Sequence, residues 1–286
     1  MPARRKIRMI LKSKPTIEGA GVHLNRAFGF NELPSFDPFL MLDDFRSDNP
    51  EHYLQGFPWH PHRGIETITY VLKGDVEHGD SLGNEGVISS GDVQWMTAGS
   101  GIIHQEMPKG DDQGSMHGFQ LWANLPASQK MMAPRYRGIS AGEIPEVVWD
   151  NGVRIKIIAG TMGDTGGPVK DIVINPEYLD CTVPPGVTYR HGVKPDHTAF
   201  IYVIDGKGTV DATAIGNRTL VLFDPGDEFS ITAAGDQVRF LLLTGKPLNE
   251  PVAWRGPIVM NTQDELATAF REYREGTFVK HRRENA

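Results

Sequence analysis

Short runs of β-branched and aromatic residues recur along the chain, and Gly, Pro, Asn and Asp separate them. Runs of this kind, bounded by turn-forming residues, predict strands at the spacing of a β-sandwich or barrel. The clearest runs are residues 66–72, 153–159, 200–204, 219–223 and 238–243. The pattern therefore predicts an all-β chain.

One helix is predicted near the end of the sequence. Thr262 and Glu265 have the spacing of a capping box, and Leu266, Phe270 and Tyr273 follow at helical intervals. The rest of the chain has little helical periodicity, so we expect a single short C-terminal α-helix on an otherwise β fold.

A weak internal repeat suggests two copies of one β unit. Residues 69–74 resemble residues 201–206, and Gly91-Asp92 has a counterpart in Gly226-Asp227 at nearly the same offset. The boundary between the copies is predicted near residues 135–150.

Composition limits the function classes. Of the 286 residues, 39% are hydrophobic and 23% are charged, as in ordinary globular proteins, so a fibrous or disordered chain is excluded. The net charge of −7 lacks the basic character expected of a direct nucleic-acid binder. The single cysteine excludes an intrachain disulfide and fits a reducing compartment. The sequence contains no apolar run of about 18 residues, so it predicts no membrane span. The basic start lacks the apolar region and cleavage site of a secretory signal peptide. We therefore expect a cytoplasmic protein.

Two short segments carry the candidate chemistry. His60 and His62 are two residues apart, and so are His104 and Glu106. In an extended strand such residues point to the same face, roughly 7 Å apart along the chain. If the two strands lie opposite each other, three imidazoles and one carboxylate face one cavity. A lone pair of this spacing is as often a polar surface pair, so the prediction depends on the two segments together. Glu66 would share the face of His60 and His62 if that strand is unbroken.

The sequence motifs around these residues resemble those of the pirin family, which belongs to the cupin superfamily. The similar stretches are HPHRGIET (60–67), QWMTAGSGIIHQEM (94–107) and GFQLWANLP (118–126). The resemblance covers nearly the whole chain and implies two tandem cupin β-barrels, a bicupin, with a short C-terminal α-helix. It implies an N-terminal metal-binding cupin domain at residues 1–140 and a C-terminal degenerate cupin domain at residues 141–286.

The resemblance also implies one metal in the N-terminal barrel, held by His60, His62, His104 and Glu106. Three neutral imidazoles and one carboxylate suit Fe(II), with Mn, Ni, Cu, Co or Zn as alternatives. By the same resemblance Glu66 is not a ligand but supports one, and it is the best candidate to hold an imidazole's other nitrogen. His191 and His197 are wrongly spaced for a second site and are expected to be ordinary surface or loop histidines.

The implied activity is that of a metal-dependent dioxygenase of the quercetin 2,3-dioxygenase type. Its substrates would be O2 and a small planar aromatic flavonol, which would bind through its 3-hydroxyl or carbonyl oxygen. Glu106 or Glu66 would take the hydroxyl proton as general base, and ring opening would release carbon monoxide.

Other functions stay open at this point. Pirin-like proteins are also linked to regulation, so the alternative is a metal- or redox-gated protein that binds a transcription factor or a metabolic enzyme. A small-molecule isomerase is a third hypothesis, because metal cupins host many reactions and fold does not fix chemistry. A monomer is expected, because two barrels in one chain can bury each other's faces.

Overall fold

The computed structural model describes residues 2–281 and is mostly β-structure. The strands, numbered in chain order, are β1 (Ile7–Lys12), β2 (Lys14–Glu18), β3 (Val22–Phe28), β4 (Phe39–Asp44), β5 (Phe57–His62), β6 (Ile65–Lys73), β7 (Asp75–Asp80), β8 (Glu85–Ile88), β9 (Val93–Thr97), β10 (Ile102–Lys109), β11 (His117–Asn124), β12 (Arg135–Ile139), β13 (Glu146–Val148), β14 (Arg154–Ala159), β15 (Thr161–Met162), β16 (Thr165–Gly166), β17 (Glu177–Val183), β18 (Thr188–Gly192), β19 (Thr198–Val210), β20 (Thr213–Gly216), β21 (Thr219–Phe223), β22 (Glu228–Gly245), β23 (Ala253–Arg255) and β24 (Ile258–Met260). Short 3-10 helices cover Phe30–Glu32, Pro50–His52, Ala127–Gln129 and Ala141–Glu143.

The α-helix α1 covers Gln263–Arg274, as the capping signal predicts. The Thr262 side chain accepts from the backbone N–H of Glu265, and the Glu265 side chain accepts from the backbone N–H of Thr262. Two N–H groups that the helix itself leaves without partners are thereby satisfied. The helix buries Leu266 and Ala269. Within residues 2–281, no helix is long and apolar enough to span a bilayer.

The chain folds into two compact units, and neither is continuous in sequence. Within the described residues, the first unit comprises residues 15–31, 39–141 and 248–281. The second unit comprises residues 2–14, 32–38 and 142–247. The domains predicted at 1–140 and 141–286 are continuous, whereas these units exchange end segments. The exchange has a physical reason at the start of the chain, where β1 forms an antiparallel ladder with β21 of the second unit.

The first unit is a sandwich of two antiparallel sheets. One sheet has the strand order β12-β9-β6-β11-β4-β3-β2, and the other has the order β5-β10-β7-β8. Apolar side chains from both sheets form the core between them, among them Leu24, Val71 and Val76. The hairpin of β23 and β24 packs with α1 in a separate apolar cluster.

The second unit is built on one nine-stranded sheet. Its main path is β1-β21-β19-β22-β17-β14-β13, with β18 joined to β22 and β20 joined to β19. Long, strongly apolar strands supply a dense core that includes Ile155, Val203 and Phe240. The predicted fold class of two cupin-type β units and one C-terminal helix is confirmed, although the sheets are open sandwich layers and not closed barrels.

Candidate metal centre

Three histidines of the first unit converge on one point. His60 and His62 lie on β5, and His104 lies on the adjacent antiparallel strand β10, directly opposite His60. One ligand atom from each of the three lies within 4.8 Å of the others. The Nε2 atoms of His60 and His62 are 3.1 Å apart. The predicted i, i+2 geometry and the predicted pairing of the two segments are both present, so the structure brings these imidazoles together.

Backbone carbonyls orient two of the imidazoles. The Nδ1 atom of His60 lies 2.8 Å from the carbonyl oxygen of Pro58, and Nδ1 of His62 lies 3.0 Å from that of Pro257. When Nδ1 carries the proton and donates to a carbonyl, the Nε2 lone pair is free to face the centre. Nε2 of both rings does face it.

The electrostatics of the cluster fit a bound cation. Burial lowers the pKa of His60, and burial with the neighbouring imidazoles lowers the pKa of His62 and His104 well below the usual value. Neutral imidazole is the form that binds metals. Among the residues that the structure describes, the buried Nε2 of His104 has no hydrogen-bond partner. A buried polar atom without a partner is costly, and three converging neutral nitrogens are donors that a divalent transition metal accepts.

Glu106 lies beside this cluster but outside the three-residue group. A β-bulge between His104 and Glu106 shifts the register with β5. The Thr69 hydroxyl donates to Oε1 of Glu106 at 2.7 Å, and the Gln120 amide donates to Oε2 at 2.8 Å. Burial raises the pKa of Glu106, and these two hydrogen bonds act in the opposite direction. Glu106 therefore lines the same cavity as His60 and His62 as a buried, doubly hydrogen-bonded carboxyl group.

Glu66 does not share the face of the histidines. The chain breaks between β5 and β6 at Gly64, whose φ is +78°, so the alternation of β5 does not continue into β6. Thr69 of β6 reaches the cavity, whereas Glu66, three residues earlier, is not among its lining residues. The Thr97 hydroxyl donates to Glu66 at 2.6 Å. The prediction that Glu66 holds an imidazole is wrong for His60 and His62, because backbone carbonyls take that role.

A cavity of about 620 Å³ opens from the histidine cluster. An aromatic row lines it: the His62 ring lies 5.0 Å from Trp122, Trp122 lies 5.7 Å from Trp254, and Trp254 lies 5.6 Å from the exposed ring of Phe30, all between ring centroids. Such an aromatic face favours flat, apolar ligands.

The same cavity has a charged part. The Arg26 guanidinium makes two parallel hydrogen bonds of 2.8 Å to the buried Asp43 and an ion pair of 2.9 Å with Glu18. Burial raises the pKa of Asp43, and Arg26 opposes this effect. A ligand in this cavity therefore meets aromatic rings and a paired set of charges.

The histidines of the second unit are not surface residues. His191 and His197 are both 4% exposed, which corrects the expectation for them. The His191 ring lies between the Tyr189 hydroxyl, 2.8 Å away, and a Glu177 carboxylate oxygen, 3.1 Å away. The burial of His191 has no local sequence signal, because its paired strand β22 and the Phe229 ring 5.9 Å away are distant in sequence.

Several functional residues of the first unit escaped the sequence analysis. Pro58 and Pro257 act through backbone carbonyls, which have no sequence signature. Thr69 follows from the alternation of β6 once that strand begins after the break at Gly64, and Gln120 follows from the alternation of β11.

Comparisons with known proteins agree with this architecture. The family model described as Pirin matches residues 21–123, and the model described as Pirin C-terminal cupin domain matches residues 178–279. A pirin-like protein of Caulobacter vibrioides is 45% identical over 279 residues, which covers 97% of this chain and 100% of the relative. A pirin-like protein of Solanum lycopersicum is 41% identical and covers 91% of this chain and 88% of the relative. A crystal structure of quercetin 2,3-dioxygenase from Acinetobacter baumannii is 34% identical, has a TM-score of 0.89, and covers 96% of this chain and 99% of the other.

Proposed function

This chain belongs to the pirin family, and we propose that it is a metal-dependent dioxygenase that acts on flavonols, in a reaction of the quercetin 2,3-dioxygenase type. The observation that carries the proposal is the position of three neutral imidazoles beside a cavity with an aromatic wall. The volume of about 620 Å³ lies within the range of pockets that enclose a small organic ligand.

The metal would be held by His60, His62 and His104, with Glu106 as the proposed fourth ligand. Fe(II) is our first choice, and Mn, Ni, Cu, Co and Zn also suit these donors. When bound, the ion would supply Lewis acidity and coordination positions for substrate oxygen and dioxygen.

The protein's own groups position and deprotonate the substrate. The rings of Trp122 and Trp254 pack against a planar flavonol and exclude water from it. Glu106 accepts the proton of the 3-hydroxyl on a carboxylate oxygen, while Thr69 and Gln120 hold the carboxylate in place. A deprotonated flavonol is electron-rich, and its reaction with O2 inserts both oxygen atoms into the product and releases carbon monoxide. Glu66, which lies outside the cavity lining, has no part in this scheme.

The proposal is tested by loading the protein with Fe(II) without oxygen, then adding quercetin and O2. We expect loss of the flavonol absorbance with release of carbon monoxide. The variants His60→Ala and His104→Ala should lose both the bound metal and the reaction. His23→Ala is the control, because His23 is an exposed histidine of the same unit. The proposal would be refuted if wild-type protein, loaded in turn with each candidate metal, left quercetin intact.

That negative result would favour the regulatory alternative, in which the presence or oxidation state of the metal controls binding of a protein partner. The monomeric state and the cytoplasmic location also stay predictions.

A further inference from the structure

We propose that the segment from Trp254 to Phe278 is a positioning element of the metal centre, and that the ion pair between the buried Arg63 and the partly exposed Glu272 is the latch that holds it. This inference rests on the metal site proposed above. The residues of this segment are remote in sequence from His62. They contact the His62 ring on its Nδ1 side, away from the Nε2 atom that faces the centre.

The first contact is with the ligand itself. Nδ1 of His62 lies 3.0 Å from the carbonyl oxygen of Pro257, so the carbonyl selects the tautomer that carries its proton on Nδ1. Nε2 is then left as the atom that can bind a metal, and it faces His60. Pro257 also lines the cavity, as does Trp254 on the same hairpin. One short segment thus sets both the ligating atom and part of the wall.

The latch acts on the residue that follows His62. Arg63 is 2% exposed, pairs with Glu272 at 2.8 Å and donates to the carbonyl oxygen of Phe278 at 2.8 Å. Its guanidinium lies 4.2 Å from the centroid of the Phe278 ring. The backbone N–H of Val259 also donates to the carbonyl oxygen of Arg63 at 3.1 Å. A buried guanidinium with a carboxylate, a carbonyl and an aromatic ring around it is a rigid attachment point.

Phe278 contacts the second ligand segment as well. Gly101, in the turn before β10, has no room for a side chain, because a Cβ there would lie 2.8 Å from the Phe278 carbonyl oxygen and 3.0 Å from its ring. Ile103, next to His104, packs on the same apolar cluster as Phe278. The segment therefore contacts the chain directly after His62 and directly before His104, and it supports the backbone beside two ligands on different strands.

The consequence is specific to the metal centre. Without the latch, the Pro257 carbonyl loses one of the attachments that hold it against His62, and the imidazole gains access to the other tautomer, which cannot bind through Nε2. Groups that hold a ligand's second nitrogen typically contribute 10–100-fold to metal affinity. We therefore expect loosening of the latch to weaken metal binding while Glu106 keeps its hydrogen bonds to Thr69 and Gln120.

The test compares Arg63→Met and Glu272→Gln with wild type. The control is Glu146→Gln, since Glu146 makes an ion pair of nearly the same length, 2.9 Å, with the exposed Arg154 in the second unit. Cobalt(II) titration followed by its visible absorption should show a Kd raised about tenfold or more for Arg63→Met. We expect a smaller increase for Glu272→Gln and none for Glu146→Gln.

A second measurement needs no metal. Nitrogen chemical shifts of His62 in the metal-free protein should show the proton on Nδ1 in wild type and a mixture of tautomers in Glu272→Gln, which also serves if Arg63→Met fails to fold. An Nε2-protonated His62 in wild type, or an unchanged cobalt Kd in folded latch variants, would overturn the inference. A wild-type protein that binds no metal would instead reject the proposed function, and the tautomer would still decide the role of the latch.

Discussion

Lys130 is a buried ammonium group whose removal should change how stability depends on pH. Its Nζ donates to the carbonyl oxygen of Gly64 at 2.9 Å, to the side-chain oxygen of Asn124 at 2.7 Å and to the carbonyl oxygen of Val259 at 3.2 Å. The side chain is 1% exposed. Burial lowers the pKa of Lys130 from 10.5 to about 8, and the charges of Glu250 and Glu265 only partly oppose this.

The sign of the effect follows from proton binding. Below about pH 8 the folded and unfolded chains both carry the proton, so Lys130 adds no pH dependence. Between about pH 8 and 10.5 the unfolded chain retains a proton that the folded chain has lost, so the free energy of unfolding rises with pH. At 1.36 kcal/mol per pKa unit, the rise amounts to about 3 kcal/mol.

The measurement is urea unfolding of wild type and Lys130→Met from about pH 7 to about pH 10.5, taken as a difference so that other titrating groups cancel. The difference should grow in favour of wild type by about 3 kcal/mol across the upper part of this range. Lys109→Met is the control, because Lys109 is an exposed lysine of the same unit. A difference that stays flat would mean that the three acceptors keep the ammonium charged, and it would refute the reasoning from burial.

Three further predictions concern the cavity wall, a turn and the second unit. Trp254→Ala should raise the KM for quercetin about tenfold with little change in kcat, because the ligand loses a stacking surface worth about 1 kcal/mol or more. Steady-state kinetics that show a fall in kcat alone would contradict this role of Trp254. Gly64→Ala should lower the free energy of unfolding by about 2 kcal/mol or more, because φ is +78° and a Cβ would lie 1.9 Å from the Val259 carbonyl oxygen; equal urea midpoints would show that the turn can adjust. His191→Ala should lower the free energy of unfolding by about 2 kcal/mol, because the partly buried Glu177 loses one hydrogen-bond partner and keeps only Thr244. Metal analysis should still find the same metal content as in wild type, and a loss of metal would place His191 in the centre.

Local patterns were sufficient for much of the fold and for the three histidines. Thr262 and Glu265 form the expected cap because capping depends on residues three apart. His60 and His104 meet because each strand alternates regularly up to its ligand and the two strands pair in register.

The errors arose where one residue or a distant segment decides the outcome. Gly64, with its positive φ, resets the alternation, and this single dihedral angle turns Glu66 away from the face that parity suggested. The contact of Pro257 with His62 joins residues far apart in the sequence through a backbone atom, and no pattern of side chains encodes such a contact. The surface position predicted for His191 is wrong for a related reason. Its burial depends on pairing with β22, which is distant in sequence.

The exchange of end segments between the units has a consequence for how the protein is made. Every described residue of the second unit precedes Leu248, whereas the first unit also includes residues 248–281. On the ribosome, the second unit can therefore finish folding before the first, although residues 39–141 of the first unit emerge before residues 142–247 of the second. Trp254 and Pro257 follow all of the second unit along the chain, so the pocket beside the imidazoles is completed only after residues 142–247 have been synthesised.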